Sequence, residues 1–203
     1  MKIICIGLNY KDHAREMNRE LPSRPLVFIK PDSAIIRNDK PFFIPDYDSA
    51  IDYEAELVLS ICKVGRSIAP RYAHRYFDKI TVGIDFTARD LQKSLSDEIM
   101  PWSISKGFDG SAPLGKFISV SSLGSIDDIS FSLEKNGETV QSASSSGLIF
   151  SFADIIAYVS RFFTLKTGDL IFTGTPAGAG PVKKNDRLTA FLEGQKVLDF
   201  NVK

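Results

Sequence analysis

The chain has 203 residues, 43% of them hydrophobic and 25% charged, with 25 Lys and Arg set against 25 Asp and Glu. That length supports a single domain over residues 1–203 with a substantial core. The composition is ordinary for a soluble globular protein, and the even charge balance gives no hint of a nucleic-acid or acidic-membrane partner.

The opening Met1-Lys2-Ile3-Ile4-Cys5-Ile6-Gly7-Leu8 is too short for a signal peptide and reads as a first buried strand, about residues 2–7. No later run is long enough to span a membrane. Cys5 and Cys62 form no CxxC pair, which fits a reduced, cytoplasmic protein. Tyr10 to Met17 reads as a short helix ended by Pro22 and Pro25, and Pro25-Leu26-Val27-Phe28-Ile29-Lys30-Pro31 as a strand between prolines. Ala34-Ile35-Ile36 is a further short strand, and residues 37–50 read as loop. Strands near 53–61 and 80–86 are expected to flank a helix around 69–78, with another helix over 87–97. In the second half, Phe117-Ile118 and residues 129–135, 138–141 and 188–193 read as strands, with Asn136-Gly137 as a hairpin turn. Phe152, Ile155, Ile156, Val159 and Phe162 recur at helical spacing and predict a helix from Ser151 to Arg161. A turn and strand follow over 164–172, then a Gly/Pro loop over 174–181. The expected fold is α+β and strand-rich.

Three acids interrupt this apolar pattern. Glu54 and Glu56 stand at the mouth of Leu57-Val58-Leu59-Ser60-Ile61, and Asp85 ends Ile80-Thr81-Val82-Gly83-Ile84. Alternation places Glu54 and Glu56 on one strand face, shared by Asp52. Like charges packed together are costly without a balancing cation, and carboxylates without Cys or His favour Mg²⁺ or Mn²⁺ before zinc. The competing reading is a solvated edge strand, with Asp85 capping the helix that follows.

His13 and Glu16 are three residues apart on the first predicted helix, so the carboxylate could orient the imidazole as a general base on water; a chance pair on an exposed helix has the same pattern. Lys106, among small and apolar residues, either reaches the surface or meets an anionic ligand. Arg89 and Gln92 follow Asp85 at helical spacing and could point to the same region, and Lys30 is a further candidate of the Lys106 type. His74 lies on a basic, aromatic segment and reads as a packing or solvent residue. Thr173-Gly174-Thr175-Pro176-Ala177-Gly178-Ala179-Gly180-Pro181 completes neither phosphate-loop nor dinucleotide spacing. Its amides and the Thr175 hydroxyl could bind a small carboxylate, or it is a plain turn.

Six motifs in order resemble the fumarylacetoacetate hydrolase family over nearly the whole chain: Gly7-Leu8-Asn9-Tyr10-x-x-His13, Phe28-Ile29-Lys30-Pro31, Glu54-x-Glu56-Leu57, Asp85-Phe86-Thr87-Ala88-Arg89-Asp90-Leu91-Gln92, Lys106-Gly107-Phe108-Asp109 and Thr173-Gly174-Thr175-Pro176-Ala177-Gly178. The chain is most similar to the small single-domain branch with acylpyruvases and oxaloacetate decarboxylases. The resemblance implies a mixed β-sandwich roll assembled as a homodimer. It implies Glu54, Glu56 and Asp85 as ligands of Mg²⁺ or Mn²⁺, leaving Asp52 out of the set. It makes His13 and Glu16 a water-activating dyad on a segment that orders over substrate. Lys106 and Gln92 would hold a substrate carboxylate or oxyanion, with Arg89, Thr175 and Lys30 as further substrate contacts. The activity implied is cleavage of a carbon–carbon bond in a small 2,4-dioxo acid such as an acylpyruvate. The alternatives are an oxaloacetate decarboxylase or a 2-hydroxyhepta-2,4-diene-1,7-dioate isomerase, a non-catalytic metal- or acid-binding protein, and a structural calcium module. The stretch Gln141 to Phe150 departs from the family pattern, which bears on the pocket wall.

Overall fold

A computed structural model describes residues 1–48 and 50–203. In chain order the first half forms β1 (Ile3–Gly7), α1 (Lys11–Glu16), β2 (Leu26–Lys30), β3 (Ile35–Ile36), β4 (Ile51–Tyr53), β5 (Ala55–Ile61), β6 (Phe77–Ile84), β7 (Thr87–Ala88), α2 (Arg89–Asp97) and α3 (Ser103–Lys106). The second half forms β8 (Ala112–Pro113), β9 (Ile118–Ser119), β10 (Ser130–Lys135), β11 (Glu138–Ser144), α4 (Phe152–Val159), β12 (Leu170–Phe172), β13 (Gly180–Pro181), β14 (Arg187–Leu192) and β15 (Gln195–Asn201).

The largest sheet runs in the order β2-β1-β12-β5-β6-β9, with β1 and β12 parallel and its other neighbours antiparallel. A four-stranded antiparallel sheet, β11-β10-β14-β15, lies against it, and two small sheets, β13-β4-β7 and β3-β8, complete the fold. Strand alternation explains the near-continuous apolar runs. In β1, Ile4 and Ile6 enter the main core with Leu57, Leu59, Val82 and Ile84, where they meet Phe131, Leu133, Leu188, Ala190 and Ile155. Ile3 and Cys5 enter a second core with Val58, Leu170 and Phe172. The central strands are therefore buried on both faces, the situation that favours Ile, Val and Leu at consecutive positions. A charged side chain that is to meet a ligand is best placed toward a strand end.

Local signals account for most boundaries. Asn136 and Gly137 adopt φ of 57° and 86° between the paired Lys135 and Glu138, the two-residue turn that suits strand twist. Ser151 caps α4 through a capping box with Asp154, and the helix buries Phe152, Ile155, Ile156 and Val159. Phe162 falls beyond the helix end and is exposed, contrary to its predicted place on the apolar face. The helix predicted around 69–78 is a 3-10 helix over Pro70–Arg75 that buries only Ala73, and Phe77 already begins β6. The helix predicted from 87 starts at Arg89, because Thr87 and Ala88 pair with β4. Sequence reasoning missed β15, although Glu193 and Gly194, both at positive φ, form the β14–β15 turn. No helix among the described residues is long and apolar enough to cross a membrane.

Asp169 anchors the start of β1 to the start of β12. Its carboxylate accepts from Lys2 N–H and Lys166 N–H, each at 2.8 Å, and pairs with the Lys2 ammonium. Burial opposes its charge, but the Lys2 and Lys166 hydrogen bonds outweigh it and hold the pKa below the ordinary aspartate value. A lowered folded-state pKa gives stability that is complete above the unfolded value and is lost as pH falls through the folded one. Asp169→Asn is therefore expected to cost about 1–3 kcal/mol near pH 7. The gap to the wild type should narrow below about pH 4, as urea denaturation across pH would read.

Candidate active site

The register of β5 against β6 assembles the acids. Ala55 pairs with Ile84, and Asp85 N–H donates to Glu54 O at 2.8 Å, so Asp85 lies level with the break between β4 and β5. Glu54, Glu56 and Asp85 are 6%, 2% and 1% exposed, and ligand atoms from all three lie within 4.8 Å of one another. This burial removes the solvated-edge reading, and the Asp85 side chain points to lysines and caps no helix.

Each carboxylate is held differently. Glu54 Oε1 accepts from Thr87 Oγ1 at 3.1 Å and Arg89 Nη2 at 2.7 Å, while Oε2 accepts from Lys106 Nζ at 2.8 Å. Glu56 Oε2 accepts from Gly174 N–H at 2.7 Å. Asp85 Oδ2 accepts from Lys106 Nζ at 2.8 Å. Asp85 Oδ1 lies 2.7 Å from Lys30 Nζ but outside hydrogen-bond angles, so it has a counter-charge and no directed donor. Burial alone would raise the Glu54 pKa, but the Lys106 and Arg89 charges outweigh it and lower it to about 2. Burial, then the Asp85 charge, push the Glu56 carboxyl well above the usual range against the pull of Gly174 N–H. An all-oxygen donor set, a buried Asp85 oxygen without a directed donor and one carboxyl disfavoured as an anion together fit a hard divalent cation.

The two lysines differ sharply. Lys106 ends α3 with its ammonium bridging Glu54 and Asp85; burial opposes its charge, but Asp85 and Glu54 outweigh that and keep it protonated. Lys30 is not the substrate contact expected for it. Its side chain is 0% exposed and lies behind Asp85, enclosed by Phe86 O, Ser111 O, Ser111 Oγ and Lys106 O. With three ammonium protons and these acceptors around it, nothing remains to meet a ligand. It ties β2 to the segment carrying Lys106 and balances Asp85 from below.

Arg89, at the start of α2, lies between the acids: Nε donates to Asp52 Oδ2 at 2.8 Å, Nη2 to Glu54, and Nη1 to Gln92 Oε1 at 2.8 Å. Gln92 and Asp52 thus meet the site through Arg89. The Thr175 hydroxyl donates to Ala55 O at 2.9 Å and accepts from Gln141 Nε2 at 2.8 Å.

His13 is buried on α1, with Nδ1 3.2 Å from Glu16 Oε2. Glu16, its side chain 42% exposed, is anchored by Gly178 N–H at 3.2 Å from both carboxylate oxygens. The 173–178 loop therefore serves two acids, Glu56 through Gly174 and Glu16 through Gly178, and is more than a plain turn. Gly174 and Gly178 have φ of 105° and 94°; a Cβ on the first would lie 2.6 Å from Asn9 Cβ, and on the second 2.3 Å from Val140 O. Only glycine meets both conditions. His74 is exposed. Sequence reasoning singled out neither Gln141 nor Asn9 as a site support. Asn9 is fully buried, donating to Phe150 O and Thr173 O and accepting from Phe150 N–H. Its place beside Tyr10 in the first motif was the available signal.

Residues 2–203 match the model of the fumarylacetoacetate (FAA) hydrolase C-terminal family. The mitochondrial oxaloacetate tautomerase FAHD1 of Bos taurus is 37% identical over 200 residues, 98% of this chain and 90% of that protein. The structure of a fumarylpyruvate hydrolase from Pseudomonas aeruginosa in complex with Mn²⁺ and pyruvate is 36% identical, with a TM-score of 0.94 over 100% of this chain and 89% of that one. A 5-carboxymethyl-2-hydroxymuconate delta-isomerase from Mycobacterium smegmatis is 33% identical, with a TM-score of 0.88 over 99% and 78%. The strand-rich α+β architecture is the one these structures share. This chain belongs to the fumarylacetoacetate hydrolase family of enzymes, in its small branch.

Proposed function

We propose that this protein is a divalent-metal-dependent hydrolase that cleaves a carbon–carbon bond in a small 2,4-dioxo acid of the acylpyruvate type. The observation that carries the reading is the buried carboxylate triad, bridged by the Lys106 ammonium and joined to the His13–Glu16 pair by one loop, whose Gly174 and Gly178 amides bond Glu56 and Glu16. Glu54, Glu56 and Asp85 would hold Mg²⁺ or Mn²⁺, which when bound supplies a Lewis acid for adjacent carboxylate and 2-oxo oxygens.

The remaining roles follow from the chain's own groups. Glu16 accepts from His13 Nδ1–H, which leaves the Nε2 lone pair free to take a proton from water. The hydroxide oxygen adds to the distal carbonyl carbon. The bond between that carbon and the neighbouring methylene then breaks, and its electron pair passes into the 2-oxo group as an enolate. Lys106 stabilises the charge gathering on that oxygen. The proton held by His13 returns to the enolate carbon, giving a carboxylic acid and a 2-oxo acid. Arg89 and Gln92, beside Glu54, are proposed to meet the substrate's carboxylate, and Thr175 ties the loop at 173–178 to Ala55.

A second reading draws on the names of the bovine and mycobacterial relatives, a tautomerase and an isomerase. The same stabilised enolate arises when a 2-oxo diacid is decarboxylated, tautomerised or isomerised, and those routes need proton transfer without a nucleophilic water. We also propose a homodimer, which sedimentation equilibrium would test.

Turnover of acetylpyruvate, fumarylpyruvate and oxaloacetate, each with Mg²⁺ or Mn²⁺, separates the readings. His13→Ala is expected to lower hydrolysis by about 10²–10⁴-fold, the range for a lost general base; hydrolysis at the original rate would remove the dyad from the mechanism. Turnover of oxaloacetate alone would favour the second reading. Glu56→Gln is expected to abolish Mn²⁺ binding measured by calorimetry, while circular dichroism reports an intact fold.

A further inference from the structure

Gln141 lies on β11 in the four-stranded sheet, yet its amide serves the edge of the other sheet. β12 covers β5 only as far as Val58, and the Thr173 N–H and hydroxyl both donate to Leu57 O. Beyond that point Ala55 turns its backbone groups toward a side where no strand among the described residues pairs with it. Side chains take the strand's place there. Gln141 Oε1 accepts from Ala55 N–H at 2.9 Å, and Thr175 Oγ1 donates to Ala55 O at 2.9 Å. Gln141 Nε2 closes the ring by donating to Thr175 Oγ1 at 2.8 Å and to Pro176 O at 3.0 Å. The residue enclosed is the one that separates Glu54 from Glu56.

We infer that Gln141 is a positioning residue for both halves of the site. Through Ala55 it fixes the spacing of Glu54 and Glu56; through Thr175 and Pro176 it fixes the loop whose Gly174 and Gly178 amides hold Glu56 and Glu16. The side chain is 2% exposed and both amide protons are committed, so it acts through its neighbours and does not touch substrate. The loop also rests directly on β11, where Val140 O occupies the space a Cβ on Gly178 would need. The inference rests on the metal-site reading proposed above.

The test is Mn²⁺ calorimetry on the full chain, wild type and two variants, at a temperature where circular dichroism shows each folded. Gln141→Met keeps the side chain's length and removes all three hydrogen bonds. Its Mn²⁺ affinity is expected to fall roughly tenfold or more, the usual scale for a lost outer partner of a metal ligand. Gln141→Glu keeps an acceptor for Ala55 N–H and loses the bonds to the loop. It is expected to bind Mn²⁺ more tightly than Gln141→Met, and to lower kcat with KM little changed on the substrate that the wild type turns over. Wild-type Mn²⁺ affinity in both variants, with only the melting temperature lowered, would overturn the inference. Should Gln141→Met not fold, an unchanged kcat in Gln141→Glu overturns it. A wild-type protein that binds no Mn²⁺ overturns the metal reading and the inference with it, so the wild-type titration tells the two failures apart.

Discussion

Three carboxylates share a buried space in which their ligand atoms lie within 4.8 Å of one another, and much of the surrounding structure answers the cost of that. At such a separation each pair of charges repels by roughly 3 kcal/mol at an effective dielectric of about 20. The chain meets three acids with three cations: Lys30 behind Asp85, Lys106 across Asp85 and Glu54, and Arg89 beside Glu54. Glu56 is the exception, with a backbone amide as its partner and its pKa driven upward by burial and by Asp85. Under the proposed reading a divalent cation relieves Glu56 and, with Asp52 counted beside Arg89, leaves the site one charge positive, a balance that suits an anionic oxo acid.

The fold meets this constraint by building the site at strand ends. β5 and β6 are buried on both faces along most of their length, and the acids of the site gather at one end of the pair, with Glu56 only the second residue of β5. The chain breaks between β4 and β5 at Glu54, ends β6 at Ile84, and lets the register bring Asp85 level with the break. Lys30 and Gln141 then secure the assembly from opposite sides, one from the edge strand of the large sheet and one from the facing sheet. Both are almost wholly enclosed and fully engaged by polar partners, the condition under which buried polar groups rigidify a site.

Residues of the site were legible in the sequence where chemistry clashed with local pattern. Glu54, Glu56 and Asp85 stood out because acids stood at the ends of apolar strands, and Lys106 because it followed small and apolar residues. The supports were not legible, because their partners are far away in sequence. Lys30 reaches residues 56 to 81 positions distant, and Gln141 reaches Ala55 across 86. Lys30 drew notice from its place at the end of an apolar strand, but as a substrate contact and not as a support, and nothing beside Gln141 marks it as more than a surface side chain. Arg89 and Gln92 could be placed near Asp85 from helical spacing, but not as partners of each other. The misread helix over 69–78 has a related cause: Pro70 and the aromatic–basic run allow a helical turn, and only tertiary packing decides that Phe77 begins a strand.

The account's central claim is that Glu54, Glu56 and Asp85 form one cation site that organises the chemistry. A crystal structure of the wild-type protein grown with Mn²⁺, with anomalous differences measured at the manganese edge, tests it most directly. The account predicts one strong peak within coordination distance of an oxygen from each of the three carboxylates, with at least one coordination position open to solvent or substrate. A fully occupied peak elsewhere and none among the three acids would contradict it.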